Sequence, residues 1–204
     1  MPIKPHESEE YQNFLISDER DSIIPSSFYE LLIPQIEPES NLLDFGCGLG
    51  FVAFYYALKY RDIEKTKFYG CDYQEDLLDL CWKKATQKEL KNTTFFYTPD
   101  KSRINFPEWL PKMNHIILSF SLSCVEEKDH ILLSLSQILA EKAMIHIIEW
   151  EKDFNNKFLN EYYKEKNRIS LEETEKILEK IKFNVIKKRT PQQGCYSLSV
   201  SPQA

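Results

Sequence analysis

The sequence predicts an α/β fold, a doubly wound and mostly parallel sheet of about seven strands that ends in an antiparallel C-terminal hairpin. Three observations predict it. Short apolar runs alternate with stretches of helical periodicity between residues 41 and 150. One run, His115 to Phe120, is nearly all apolar, as a strand covered on both faces of a parallel sheet must be. Glycine is also concentrated: of five in the 204 residues, three stand at Gly46, Gly48 and Gly50, directly after the first run.

The elements follow in chain order. Glu7 to Ser17 and Ser26 to Ile36 read as two short helices, making residues 1–38 an N-terminal helical cap that stops at Pro38. Strand one is Asn41 to Phe45, and the helix after the glycines runs through Val52, Ala53, Tyr56 and Ala57 to about Lys59. Lys67 to Cys71 is strand two. From Glu75 to Leu90, Leu77, Leu78, Cys81, Trp82 and Ala85 recur at helical spacing. Strand three is Thr94 to Tyr97 and strand four is His115 to Phe120. Ile131, Leu132, Leu135, Ile138 and Leu139 form one face of a helix starting at Asp129, and strand five is Ala143 to Trp150. Asp153 to Lys166 reads as a charged amphipathic helix. Ser170-Leu171-Glu172-Glu173 is a capping box for a helix ending near Ile181. Phe183 to Lys188 and Cys195 to Ser201 form the hairpin, turned by Pro191-Gln192-Gln193-Gly194.

Composition narrows the function. A length of 204 residues with 42% hydrophobic content predicts one domain spanning residues 1–204. The net charge of −6 argues against nucleic acid as a partner, since a polyanion binder needs clustered Lys and Arg. Lys187-Lys188-Arg189 reads as a solvated strand end. No apolar run nears the roughly twenty residues of a spanning helix, so no membrane partner is expected. The five cysteines form neither a Cys-x-x-Cys pair nor a His/Cys cluster, and no metal site is predicted. Their odd number, and an opening of Met1-Pro2-Ile3-Lys4-Pro5-His6-Glu7 without a secretory pattern, predict reduced thiols in the cytoplasm. Nothing in the sequence sets an oligomeric state.

The glycine run points to a ligand. Glycine passes close to a ligand and takes positive φ without steric cost, so Gly46, Gly48 and Gly50 describe a tight strand-to-helix turn. Asp72, closing strand two, is placed to accept hydrogen bonds from ribose hydroxyls, with capping of the next helix as its alternative role. A dinucleotide fingerprint needs glycine at position 51, where Phe51 stands, and no Gly-Lys-Ser/Thr phosphate loop follows. Asp44 on the strand before the turn suits a ligand with a cationic end, or holds the turn through backbone hydrogen bonds. S-adenosylmethionine is a nucleoside ligand of that charge.

At these residues the chain resembles the class I S-adenosylmethionine-dependent methyltransferases and is most similar to their small UbiE-like members. Leu43-Asp44-Phe45-Gly46-Cys47-Gly48-Leu49-Gly50 matches the first motif, Asp72 with Tyr73 the ribose acid, and Thr98-Pro99-Asp100 the site whose acid binds the adenine amino group. Phe14 to Pro25 and Ile148-Glu149-Trp150-Glu151-Lys152 are less specific landmarks. The resemblance implies a Rossmann-like fold, S-adenosyl-L-methionine as cofactor and methyl transfer to an acceptor. Two stretches depart from the family: Leu139-Ala140-Glu141-Lys142-Ala143 replaces Pro-Gly-Gly before strand five, and Ser119-Phe120-Ser121-Leu122-Ser123-Cys124 lacks the histidine common after strand four. Both bear on the acceptor.

The expected cofactor set is Asp44, Gly46, Cys47, Gly48, Gly50, Asp72, Tyr73, Pro99, Asp100, Ser119 and Phe120. Acceptors approach the carboxyl ends of strands four and five, since ligands of open α/β sheets bind outside that edge. Ser121, Ser123 and Glu149 are substrate candidates there, and Tyr11 and Arg20 are lid candidates. Methyl transfer is an in-line displacement that needs orientation and exclusion of water rather than a covalent nucleophile, so the sequence names no catalytic residue. The acidic single domain favours a small-molecule acceptor. A non-catalytic S-adenosylmethionine-binding module, an NAD-linked oxidoreductase disfavoured by Phe51, and a metalloid methyltransferase using Cys47 and Cys124 are the alternatives. His130 and His146 read as structural.

Overall fold

The computed structural model of the chain describes residues 27–33, 35–63, 65–99, 104–155 and 168–203. In chain order these form α1 (Ser27–Leu32), β1 (Asn41–Phe45), α2 (Phe51–Lys59), β2 (Lys67–Asp72), α3 (Glu75–Gln87), β3 (Thr93–Tyr97), β4 (Met113–Ser119), a 3-10 turn (Leu122–Cys124), α4 (Lys128–Ser136), β5 (Leu139–Trp150), α5 (Leu171–Lys180), β6 (Phe183–Gln192) and β7 (Cys195–Pro202). The sheet has seven strands in the order β3-β2-β1-β4-β5-β7-β6. β1 to β5 pair in parallel, and β7 runs antiparallel to both β5 and β6. The predicted doubly wound sheet with its C-terminal hairpin is therefore the observed one. Strand order reverses between β1 and β4, and the glycine turn leaves β1 at that switch point, where open α/β sheets bind ligands.

Alternation along the strands sorts the core onto two faces. Leu42 and Ile117 join α1, α2 and α3 residues such as Leu32, Ala53, Phe54, Leu78 and Cys81 on one side. Leu43, Ile116 and Leu118 join Ile131 and Leu135 of α4 and Leu178 of α5 on the other. α5 begins with both halves of the predicted capping box. The Ser170 hydroxyl accepts from the Glu173 amide at 3.1 Å, and the Glu173 carboxylate accepts from the Ser170 amide at 2.9 Å. His146 is structural as expected, contacting His115 at 3.1 Å and Ser199 at 2.9 Å across β4, β5 and β7.

Several boundaries differ from expectation for local reasons. α1 covers only Ser27–Leu32, although Ile33 and Ile36 are buried beyond it. β4 starts at Met113 rather than His115. α3 stops at Gln87, because Glu89 turns left-handed (φ 55) and lets the Leu90 amide reach back to the Ala85 carbonyl at 3.0 Å. Ile138 and Leu139 leave the helix expected there: Ile138 is a turn residue whose carbonyl accepts from the Met113 amide, and Leu139 opens β5 by pairing with Met113. The stretch 139–143 is thus irregular strand rather than a turn, bent at Lys142 (φ 59). Pro191 and Gln192 extend β6, leaving Gln193 and Gly194 to turn the hairpin. Asp153–Asn155 are turn and irregular backbone, and the rest of the predicted 153–166 helix lies outside the described residues, as does the helix at 7–17.

Candidate cofactor and acceptor site

The glycine turn is tight because every one of its glycines is left-handed, with φ of 69 at Gly46, 53 at Gly48 and 73 at Gly50. Space requires glycine as well. A Cβ at Gly46 would lie 2.7 Å from the Ser121 Cβ, and one at Gly50 would lie 2.9 Å from the Phe54 ring and 3.1 Å from the Cys81 sulfur. The Gly46 and Cys47 amides both donate to the Cys71 carbonyl at 2.9 Å, binding the turn to the end of β2. Gly50 is the N-cap of α2.

Two buried carboxylates fix the turn from either side. Asp44 Oδ2 accepts from the Ala53 amide at 3.2 Å, in the first turn of α2, where a negative charge is favoured by the helix dipole. Asp72 Oδ2 accepts from the Gly48 amide at 2.8 Å and Oδ1 from the Gln74 amide at 3.0 Å, so this acid joins the middle glycine to the start of α3. The ribose and capping readings of Asp72 are compatible, because a carboxylate has about four lone-pair sites. Two thiols meet here too: Cys81 Sγ at 3.4 Å and Cys47 Sγ at 3.8 Å both donate to the Gly48 carbonyl. Burial pushes the Cys47 thiol well above its ordinary pKa, with Asp44 and Asp72 adding to it, and this keeps it protonated.

The edge above β4 and β5 is built differently from what its polar sequence implies. Phe120 is left-handed (φ 56), donates its amide to the Ile148 carbonyl at 2.8 Å, and stacks on Trp150 at 5.2 Å between ring centroids. Ser121, Ser123 and Glu149, expected to meet substrate, are buried and bonded within the protein. The Ser121 hydroxyl donates to the Phe45 carbonyl at 2.8 Å. The Ser123 amide and hydroxyl donate to Glu149 Oε1 at 3.0 Å and Oε2 at 3.1 Å. Burial raises the Glu149 carboxyl to about 7, against the lowering effect of those bonds.

Gly46, Cys47, Gly48, Gly50, Asp44, Asp72 and Tyr73 therefore gather at the ends of β1 and β2, with half-buried Ser119 and buried Phe120 at the end of β4. Pro99 is exposed just past β3. Asp100, Tyr11 and Arg20 lie outside the described residues. Sequence reasoning missed Cys81 and Gly70. A Cβ on Gly70 would lie 2.6 Å from the Phe95 ring and 3.1 Å from the Cys47 sulfur, so this strand glycine makes room for the turn. A glycine inside an apolar strand was the available signal. Trp150, at the end of strand five and within the landmark at 148–152, stacks on both Phe120 and Phe154.

Residues 43–145, just over half of the chain and spanning the turn, β2 and β4, match the family described as methyltransferase domain. The chain belongs to this methyltransferase family. With the sheet order above, it is a class I S-adenosylmethionine-dependent methyltransferase with S-adenosyl-L-methionine as its cofactor. No curated protein sequence matches it. Among solved structures, a SAM-dependent methyltransferase from Aquifex aeolicus is similar in fold with a TM-score of 0.79 at 21% identity, over 95% of this chain and 97% of that one. The glycopeptide N-methyltransferase MtfA, solved in complex with (S)-adenosyl-L-methionine, has a TM-score of 0.67 at 9% identity over 88% of this chain and 87% of that one. The [4+2]-cyclase SpnF has a TM-score of 0.71 at 14% identity over 88% and 81%. A cyclase shares this fold, so the family match rather than the fold names the reaction. Among the described residues no helix is long and apolar enough to cross a membrane, and no group of three or more His, Cys, Asp or Glu is placed to hold a metal.

Proposed function

We propose that this methyltransferase, a single cytoplasmic domain with residues 1–38 as its helical cap, transfers the methyl group of S-adenosylmethionine to a small-molecule acceptor. The observation that carries the cofactor half of this reading is the bond from the Gly48 amide to Asp72 at 2.8 Å, which brings the glycine turn and the strand-two acid into one site. The donor set fits the cofactor chemically. Two buried carboxylates, Asp44 and Asp72, border the turn and suit a ligand carrying a sulfonium and a ribose. In this reading Asp72 holds the ribose hydroxyls, Gly46 to Gly50 give close backbone approach, and Tyr73, Pro99 and Asp100 border the adenine. Ser119 and Phe120 complete the cofactor set from β4.

When bound, the cofactor supplies a methyl group activated by its positive sulfur to in-line attack. The chain's own contribution is orientation and exclusion of water. Phe120 and Trp150 supply an apolar wall at the carboxyl ends of β4 and β5. Tyr11 and Arg20 belong to the covering segment in this reading. The small-molecule half rests on the net charge of −6 and on Lys188 being engaged with Glu175 at 2.8 Å rather than forming part of a polyanion surface. The test is incubation with methyl-labelled S-adenosylmethionine and a cell extract divided into its low-molecular-weight, protein and nucleic-acid fractions, read by mass spectrometry. Label in small products, with S-adenosylhomocysteine formed in step, is the expected result. Label only in protein or nucleic acid overturns the acceptor class, and no turnover with any fraction favours the binding module.

A further inference from the structure

We propose that Glu149 is a positioning residue for cofactor binding: its carboxylate clamps the corner after β4 and so holds Phe120 and Ser119 in the shape the cofactor requires. The inference rests on the reading above that Ser119 and Phe120 contact the cofactor.

The corner is held from both neighbouring strands. On the β1 side, the Ser121 hydroxyl donates to the Phe45 carbonyl at 2.8 Å and packs where a Gly46 side chain would otherwise stand. On the β5 side, Glu149 receives the Ser123 amide at 3.0 Å and the Ser123 hydroxyl at 3.1 Å. Directly before these anchors in the chain is Phe120 in the left-handed region (φ 56), a conformation that an L-residue keeps only where its surroundings impose it. Glu149 is 1% exposed and Ser123 7%, so the clamp works in a water-poor setting where hydrogen bonds to a charged acceptor are strong.

The clamp is also sensitive to protons. Burial lifts the Glu149 carboxyl to about 7. The other groups facing it are Lys128 of α4, which favours its charged form, and Cys195 and Tyr196 of β7. Both β7 groups are pushed above their ordinary values and stay neutral near pH 7, while His115 and His146 are held at about 4 and about 3. Glu149 is therefore the group of this cluster that changes charge between pH 6 and 8. Protonation replaces charge-assisted bonds to the corner by weaker neutral ones. Cofactor affinity falls with it.

The test is calorimetric titration with S-adenosylhomocysteine at pH 6.0 and 8.0 for the wild type and Glu149→Gln, the neutral form of nearly the same shape. We expect wild-type Kd to rise about threefold to tenfold at pH 6.0, and Glu149→Gln to bind at both pH values like the wild type at pH 6.0. The ligand's own titration cancels in this comparison. If Glu149→Gln does not fold, Ser123→Ala serves: removing a donor to the charged form raises the carboxyl further and moves the wild-type inflection to higher pH. Glu149→Gln matching the wild type at pH 8.0, or an unmoved inflection in Ser123→Ala, overturns the proposal. Absence of binding by the wild type at both pH values overturns the cofactor reading instead.

Discussion

Replacing Gly46 by alanine strikes the point where cofactor turn and acceptor corner meet. The left-handed backbone (φ 69) costs an L-residue about 1–2 kcal/mol. The new methyl group would lie 2.7 Å from the Ser121 Cβ, and overpacking of this kind adds about 1–3 kcal/mol. Ser121 has little freedom to retreat, because its hydroxyl is bonded to the Phe45 carbonyl at 2.8 Å. The substitution therefore costs about 2–5 kcal/mol, a large part of the roughly 5–15 kcal/mol that keeps a domain folded. The two contributions separate in a double-mutant cycle. Ser121→Gly alone loses one buried hydrogen bond, about 1 kcal/mol, but it removes the atom that the alanine meets. In the double variant only the backbone cost of Gly46→Ala remains, so the pair is more stable than the sum of the singles by about 1–3 kcal/mol. Urea unfolding followed by tryptophan fluorescence measures all four proteins. Additive losses within about 0.5 kcal/mol would refute the steric account of the turn.

Other outcomes follow from the same geometry. Ser170→Ala removes the hydroxyl that accepts from Glu173, and chemical denaturation should show a loss of about 1 kcal/mol with little change in cofactor affinity. Gly194→Ala should be strongly destabilising, since its Cβ would lie 2.1 Å from the Phe154 ring at φ 74, and Phe154→Ala in the same chain should recover part of the loss in thermal midpoint. Stability also depends on pH with a definite sign. The folded pKa values of His115 and His146 lie below the ordinary 6.5, so about midway between pH 6.5 and 4.5 the unfolded chain holds close to two more protons on this pair. Glu149 works the other way, folded near 7 against an ordinary 4.5, and gives the folded state one more proton over that window. These three groups together leave the unfolded chain ahead by one proton, a loss of about 1.4 kcal/mol per pH unit on acidification. Glu149→Gln removes the opposing group and should steepen the slope to about 2.7 kcal/mol per pH unit, measured by urea midpoints from pH 6.5 to 4.5.

Much of this was legible in the sequence because it is local. Asn41 to Phe45 reads as a strand by its apolar run and its glycine stop, and those are its observed ends. Ser170 and Glu173 announce their capping box by type and spacing alone. What was not legible depends on partners distant in sequence. Ile138 and Leu139 continue a helical period, but pairing with Met113 draws Leu139 into the sheet and leaves Ile138 in the turn before it. Ser121, Ser123 and Glu149 look like solvated loop polars suited to a substrate. Their burial follows from Phe45 and from one another, 76 and 26 residues apart along the chain. Cys81 reached the site in the same way, through the fold of α3 back onto Gly48, 33 residues earlier.

Cofactor binding turns on one site made from the glycine turn and Asp72. Calorimetric titration of S-adenosylmethionine against the wild type and Asp72→Ala tests it, with thermal midpoints recorded to confirm folding. Hydrogen bonds to a charged acceptor are worth about 1.5–3 kcal/mol each, so loss of the ribose contacts should weaken binding by at least about tenfold. The wild type should bind S-adenosylmethionine and not NADH. Undiminished affinity in a folded Asp72→Ala protein would contradict the account.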